Sequence, residues 1–318
     1  MNVIKTIFVN CLIFVITLLV GALFAEGLLR VKNANQQNYT IEMWRYSKLL
    51  KKRSDDIELG HEHVPNAKAK LQNVEISLNS FGMRGEEPAL TDKKRKRILF
   101  LGSSNTLGWG VAEKDLMTSL IEEKLNGKAQ VFNAGIGNYN TSRYVELFEK
   151  KLRTLKPDVI VVHYFINDAE VLEPGGGNWF LRNSELAVTL HQIIALSKKG
   201  STGMSSLEEH YKNVYKENSE GFARMMAALS KVNDMSKEDG FKVIFAMTPE
   251  IHNLESYSFY FVHEKMKKVA NNFGWEYVDF MDSMKDVKAP DLWAMPGDPH
   301  LNALGHKIMA DSLLKYLK

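Results

Sequence analysis

Apolar and polar positions divide the chain into three stretches of different character. From Thr6 to Ala25 it reads TIFVNCLIFVITLLVGALFA, a run of about twenty uncharged residues, the length a helix needs to cross a hydrocarbon core. A transmembrane helix with Cys11 inside it is expected, continuing through Leu28 and Leu29. A cleaved signal peptide has the same outline, since Lys5 precedes the run and the small residues Gly21, Ala22 and Ala25 suit a peptidase. The length of the run favours the uncleaved anchor. No second run of this length follows, so residues 1–30 read as a single-pass anchor. Orientation stays open on charge alone, because Lys5 flanks one end while Arg30, Lys32, Lys51, Lys52 and Arg53 follow the other.

Residues 31–95 are polar and mixed and read as a membrane-proximal segment and linker. Within them Val74, Ile76 and Leu78 alternate, which predicts a strand turning at Asn79-Ser80-Phe81-Gly82. From residue 96 the pattern changes to short apolar runs separated by helical periodicity. Strands are expected at Ile98 to Leu101, Val131-Phe132, Val159 to Phe165, Val243 to Met247 and Tyr277 to Phe280. Helices are expected over 116–125, 142–155 and 257–272, and in a final segment carrying Leu304, Ile308, Met309, Leu313, Leu314 and Leu317. Such alternation predicts an α/β fold in which a mostly parallel sheet is covered by helices on both faces, a three-layer sandwich.

Composition narrows the function classes. The 318 residues are 45% hydrophobic and 25% charged, which excludes a disordered or collagenous chain. With 41 basic and 38 acidic side chains the formal charge is +3, too small for a whole-chain field toward nucleic acid. The basic run Lys93-Lys94-Arg95-Lys96-Arg97 has no interleaved aromatics and reads as a solvated linker. Cys11 alone permits neither an intrachain disulfide nor a cysteine metal site. His61 and His63 could share one strand face toward a metal, but no third ligand is identifiable. Gly175-Gly176-Gly177 reads as a loop and not a phosphate cradle, with neither a preceding strand nor a following lysine and hydroxyl pair.

In parallel sheets the working residues sit beyond the carboxyl ends of strands. Four segments there carry chemistry: Gly102-Ser103-Ser104-Asn105-Thr106, Asn133 to Thr141, Ile166-Asn167-Asp168, and Gly297-Asp298-Pro299-His300-Leu301-Asn302. A serine hydroxyl needs a neighbouring base to act as a nucleophile, and a histidine needs a carboxylate to fix its tautomer. In order and position these segments resemble the conserved blocks of the SGNH (GDSL-like) hydrolase family, over residues 96–318. The resemblance implies a flavodoxin-like sheet, Ser104 as nucleophile, His300 as base and Asp298 as the orienting acid. It implies an oxyanion hole from the backbone N–H groups of Ser104 and of Gly137 or Asn138, with the Asn167 amide. Two departures stand out: Ser103 where the family has Asp, and Asn138 where direct spacing puts a glycine. Asp168 is expected to brace its loop.

No cofactor and no metal are implied. Single-pass members of the family often modify extracytoplasmic polysaccharides by O-acetylation beside a multi-spanning membrane acyltransferase. The stretch Asn79 to Gly85 is reminiscent of that group. The expected protein is therefore a serine esterase or O-acyltransferase of the inner (cytoplasmic) membrane with a periplasmic catalytic domain. Its expected partners are a carbohydrate or other ester substrate, membrane lipid through the first helix, and such an acyltransferase. An inactive scaffold that binds glycan or the acyltransferase, and a lysophospholipase, are the alternatives. Trp179, Phe180 and Tyr211 suit sugar stacking, with core or lid packing preferred.

Overall fold

The computed structural model describes every residue except 1, 93, 173–178, 200–203 and 299. The Gly175-Gly176-Gly177 loop lies outside the described residues. Helices α1 (Asn2–Lys32) and α2 (Tyr39–Leu49) are followed by two antiparallel hairpins, β1 (Lys51–Arg53) with β2 (His61–His63), and β3 (Lys68–Leu71) with β4 (Val74–Ser77). The second hairpin turns at Gln72 and Asn73, with φ of 48° and 63°, the left-handed pair that matches strand twist in a two-residue loop. The main sheet contains β5 (Lys96–Gly102), β6 (Ala129–Gly135), β7 (Val159–Tyr164), β8 (Lys242–Met247) and β9 (Glu276–Asp279). Between or after these strands come α3 (Ser104–Leu107), α4 (Met117–Lys124), α5 (Thr141–Leu147), α6 (Trp179–Asn183), α7 (Glu185–Lys199), α8 (Met204–Val214), α9 (Glu220–Asp239), α10 (Tyr260–Phe273), α11 (Met281–Met284) and α12 (Ala303–Leu317).

All five main strands are parallel, in the order β6-β5-β7-β8-β9. Alternate side chains of each strand enter opposite layers. Leu99, Leu101, Ile160, Val162 and Phe245 pack on the face covered by α5, α9 and α10. Ile98, Phe100, Val159, Val161 and Ile244 pack on the face covered by α4, α11 and α12. Burial on both faces explains why these strands read as continuous apolar runs. The helix expected over 142–155 changes type along its length. After α5 it widens to a π turn over Phe148–Leu152, tightens to a 3-10 turn over Arg153–Leu155, and stops at Lys156 with φ 50°.

The chain divides into two compact units, residues 1–48 with 176–201, and residues 49–175 with 202–318. Residues 49–92, from the stretch read as linker, thus cluster with the sheet. In the first unit the carboxylate of Glu26 accepts from Ser184 Oγ and from the backbone N–H groups of Glu185 and Leu186, capping α7 from the side of α1. Among the described residues α1 is the one helix long and apolar enough to cross a membrane, and its apolar window is wholly exposed.

Candidate active site

Gly102 ends β5 and the chain turns at once into α3, so Ser104 stands at the first position of a helix pressed on the sheet. Both neighbours of that turn require glycine for space. A Cβ on Gly102 would sit 2.0 Å from Thr106 Oγ1, and one on Gly135 would sit 2.1 Å from the backbone nitrogen of Leu107. Arg84 fixes the other end of the helix. Its Nη1 donates to the carbonyls of Leu107 and Gly108 at 2.8 Å each, and its Nη2 to Val111 at 2.7 Å. Beneath, Thr106 Oγ1 meets His163 Nδ1 at 2.9 Å, and His163 Nε2 meets Thr248 Oγ1 at 2.6 Å. Full burial holds the His163 pKa down to about 3, so the imidazole is neutral.

Ser104 Oγ lies 2.7 Å from Nε2 of His300. On the far side of that ring, Nδ1 lies 2.5 Å from Asp298 Oδ1, which also accepts from the His300 backbone N–H at 3.0 Å. His300 and Asp298 are both buried, while Ser104 is half-buried. Asn302 anchors this loop by capping α12 with Oδ1 and donating Nδ2 to the carbonyls of Asp291 and Trp293. The arrangement can move the serine proton to a base whose second nitrogen is fixed by a carboxylate.

The sheet register sets the flanking groups. Gly102 pairs with Gly135 on one side and His163 on the other, so the loops after β6 and β7 leave the same sheet end on either side of the Ser104 turn. Gly137 and Asn138 lie on the first loop and Asn167 on the second. Asn138 is exposed and has φ 64°, the left-handed backbone that a glycine supplies without cost and that Asn tolerates. Asn167 is half-buried, with a buried Oδ1 that meets no hydrogen-bond partner. The structure thus joins Ser104, His300 and Asp298 by hydrogen bonds, and sets Gly137, Asn138 and Asn167 on the adjoining loops. Asp168 is buried beside Tyr144, and burial drives its carboxyl well above the usual range.

Sequence reasoning missed a layer behind the loop of Asn138. His61 Nε2 lies 3.0 Å and Lys51 Nζ 3.3 Å from the carbonyl oxygen of Gly137. Burial drives His61 down to about 3 and Lys51 to about 8, so at neutral pH a neutral imidazole and an ammonium donate to one carbonyl. His63 Nδ1 meets the Gly82 carbonyl at 2.7 Å. The two imidazoles considered for a metal thus face backbone carbonyls, and no group of three or more metal-ligating side chains occurs among the described residues. His252 was also missed: its Nδ1 contacts Glu250, its Nε2 lies 3.3 Å from the carbonyl of Gly297, and Glu250 raises its pKa. Lys51 and His61 are half-buried and His63 is buried in a stretch too polar to read as core, while the half-buried His252 follows β8. Of the aromatics, Tyr211 is buried edge-on to Phe259, whereas Trp179 and Phe180 are exposed.

Residues 100–308 match the model of the GDSL-like lipase/acylhydrolase family. No curated protein matches the sequence. Among solved structures, the lipase/acylhydrolase from Enterococcus faecalis is similar at 14% identity and TM-score 0.42, covering 70% of this chain and 95% of its own. The acetyl xylan esterase AlAXEase is similar at 17% identity and TM-score 0.44, covering 70% and 100%. TesA is similar at 13% identity and TM-score 0.47, covering 70% and 98%.

Proposed function

The chain belongs to the GDSL-like lipase/acylhydrolase family, and from that premise we propose a membrane-anchored serine esterase or O-acyltransferase that works through an acyl-enzyme on Ser104. The observation that carries this reading is the hydrogen-bonded line Ser104 Oγ, His300 Nε2, His300 Nδ1, Asp298 Oδ1, at 2.7 and 2.5 Å. An inactive scaffold would have no need to keep that line intact. His300 takes the proton as Ser104 Oγ bonds to the ester carbonyl carbon, and Asp298 stabilises the imidazolium that forms. The carbonyl oxygen becomes an oxyanion, held by the backbone N–H groups of Ser104 and Asn138 and by the Asn167 amide. Collapse breaks the ester C–O bond, and His300 returns the proton to the leaving alcohol. Water or a sugar hydroxyl then repeats the steps in reverse and takes the acyl group.

The Gly137 carbonyl argues for Asn138 as the loop donor. Carbonyl and N–H of one trans peptide point in opposite directions. His61 and Lys51 hold the Gly137 oxygen on one side, which aims the Asn138 N–H to the other. Donation to the carbonyl also polarises the peptide and strengthens that N–H as a donor.

Polysaccharide O-acetylation or deacetylation is the substrate reading we favour over lipid. A mostly polar groove of about 410 Å³ includes Asn140 of the loop after β6 and is lined by Asn140, Ser142, Arg143, Glu58, Glu220 and Arg224, together with the apolar Ile57, Val171 and Leu172. A polar groove suits sugar hydroxyls, whereas an acyl chain needs an apolar cleft. With α1 in the inner membrane, the catalytic unit faces the periplasm, next to a multi-spanning acyltransferase as acyl source. The test is release of p-nitrophenol from p-nitrophenyl acetate by the full chain in detergent, with and without a polysaccharide acceptor. Turnover that Ser104→Ala abolishes supports the serine mechanism, and acetate on the acceptor makes it a transferase. A folded protein without turnover or acyl-enzyme overturns it. A reporter fused after Lys318 that proves cytoplasmic overturns the orientation.

A further inference from the structure

Among the described residues outside α1, Ile57 and Val171 line one groove, and five more exposed large hydrophobic side chains stand on α6 and α7. Trp179 and Phe180 on α6 are 70% and 65% exposed, and Leu190, Ile193 and Ile194 on α7 are 50%, 57% and 55% exposed. The three on α7 stand at spacings of three, four and one, which is a single helical face. The opposite face carries Glu185 and Val188, both buried. Glu185 there accepts from Asn33 Nδ2 at 2.9 Å and from Arg45 Nη2 at 2.7 Å. The face turned outward is thus apolar, whereas a helix in water turns its polar residues outward.

The position of this face relative to α1 says what covers it. Glu26, the first charged residue after the apolar run, caps the N-terminus of α7 through Ser184, Glu185 and Leu186. One turn on, Arg30 Nη2 donates to the carbonyl of Asn183 at 3.2 Å. Trp44 Nε1 donates to the carbonyl of Leu181 at 2.6 Å. The start of α7 is therefore tied to the point at which the apolar helix ends. We propose that α6 and α7 lie along the lipid surface that α1 enters, with Trp179, Phe180, Leu190, Ile193 and Ile194 inserted at the boundary between headgroups and acyl chains. Tryptophan is favoured at that depth, and a helix with one apolar face lies in its plane. The first unit then meets the membrane by two elements, one crossing and one lying on it. This proposal rests on the reading of α1 as a membrane span.

Spin labels decide it in the full chain, reconstituted in phosphatidylethanolamine and phosphatidylglycerol vesicles. On a Cys11→Ser background, one label goes at Ile193→Cys, a second at Val15→Cys within α1, and a third at exposed Asp234→Cys as the aqueous reference. Relaxation by oxygen reports lipid and relaxation by a soluble nickel chelate reports water. Labels at 15 and 193 that both respond to oxygen over nickel support the proposal. A label at 15 in lipid with one at 193 open to nickel overturns it while leaving the anchor intact. A label at 193 shielded from both reagents overturns it in favour of a second copy of the chain on this face. A label at 15 open to nickel overturns the span and the proposal with it.

Discussion

His61 donates from Nε2 to the carbonyl oxygen of Gly137 at 3.0 Å, a contact between residues 76 positions apart. Because that carbonyl shares its peptide plane with the Asn138 N–H, His61 acts on the proposed oxyanion donor without touching substrate. A single oxyanion donor is worth about 10²-fold or more in kcat. His61→Ala is therefore expected to lower kcat for p-nitrophenyl acetate by about tenfold or more, with KM little changed, since only alignment of the donor is lost. His61→Gln, which keeps a donor, should recover part of the rate. An unchanged kcat in His61→Ala would reject the positioning role.

Ser104, His300 and Asp298 form one hydrogen-bonded line, so their losses should not add. Ser104→Ala and His300→Ala are each expected to reduce turnover by about 10³-fold or more, and the double variant to be no worse than either alone. Asp298→Asn leaves the shape and misorients the imidazole tautomer, with an expected loss in kcat of similar direction. Steady-state kinetics on the four variants tests this.

Gly135→Ala probes the packing of α3. The new Cβ would meet the Leu107 backbone nitrogen at 2.1 Å, and a helix backbone cannot turn aside as a flexible side chain does. The expected cost is about 1–3 kcal/mol of stability, as for other overpacked sites, together with a marked fall in kcat from displacement of Ser104. Urea unfolding and kcat measured on the same preparation separate the two effects.

Arg84 is buried with its guanidinium among the carbonyls of Leu107, Gly108, Val111 and Glu75. Removing it leaves several buried acceptors unmatched, each worth about 1–3 kcal/mol. Arg84→Met should therefore destabilise by at least about 3 kcal/mol and lower the thermal midpoint by several degrees. Arg84→Lys should recover little, because an ammonium cannot reach the same fork of carbonyls.

Acid should unfold this protein early. Burial lowers the folded-state pKa of His61, His163 and His306 to about 3 and of His63 to about 4. Unfolded histidine binds its proton near 6.5, so between that value and the folded pKa the unfolded state holds more protons. Stability is thus fully present above about pH 6.5 and falls as pH drops, with each histidine contributing up to about 1.4 kcal/mol per pH unit. His252 has the opposite sign: its raised pKa stabilises at low pH and that gain fades as pH rises through it. Thermal midpoints from pH 7.5 to 4.5 should show a net decline, and a flat profile would contradict the burial of these imidazoles.

The sheet was readable because its causes are local. Five apolar runs with helical periodicity between them demand a parallel sheet covered on both faces, and β5 to β9 lie on those runs. Ser104, Asp298 and His300, which the structure joins by hydrogen bonds, stood out as candidates because each sits in a short block at a strand end or before a capped helix. Boundaries were less so: Val131-Phe132 extends to Ala129–Gly135, since the pairing of β6 with β5 recruits flanking residues with no apolar signal of their own.

Alone, the amino-acid sequence determined one long apolar helix, an alternating α/β body and the residue types able to make a nucleophile, a base and an acid. Those follow from side-chain polarity and spacing, which act over a few residues. Tertiary structure decided which basic side chains pack behind the candidate site. Lys51, His61 and Arg84 reach Gly137 and the end of α3 across 86, 76 and 23 positions, and nothing in their own neighbourhoods points there. A polar side chain is stable in the interior only where folding brings it an acceptor, and that acceptor is a backbone carbonyl, which every residue carries and no sequence pattern marks.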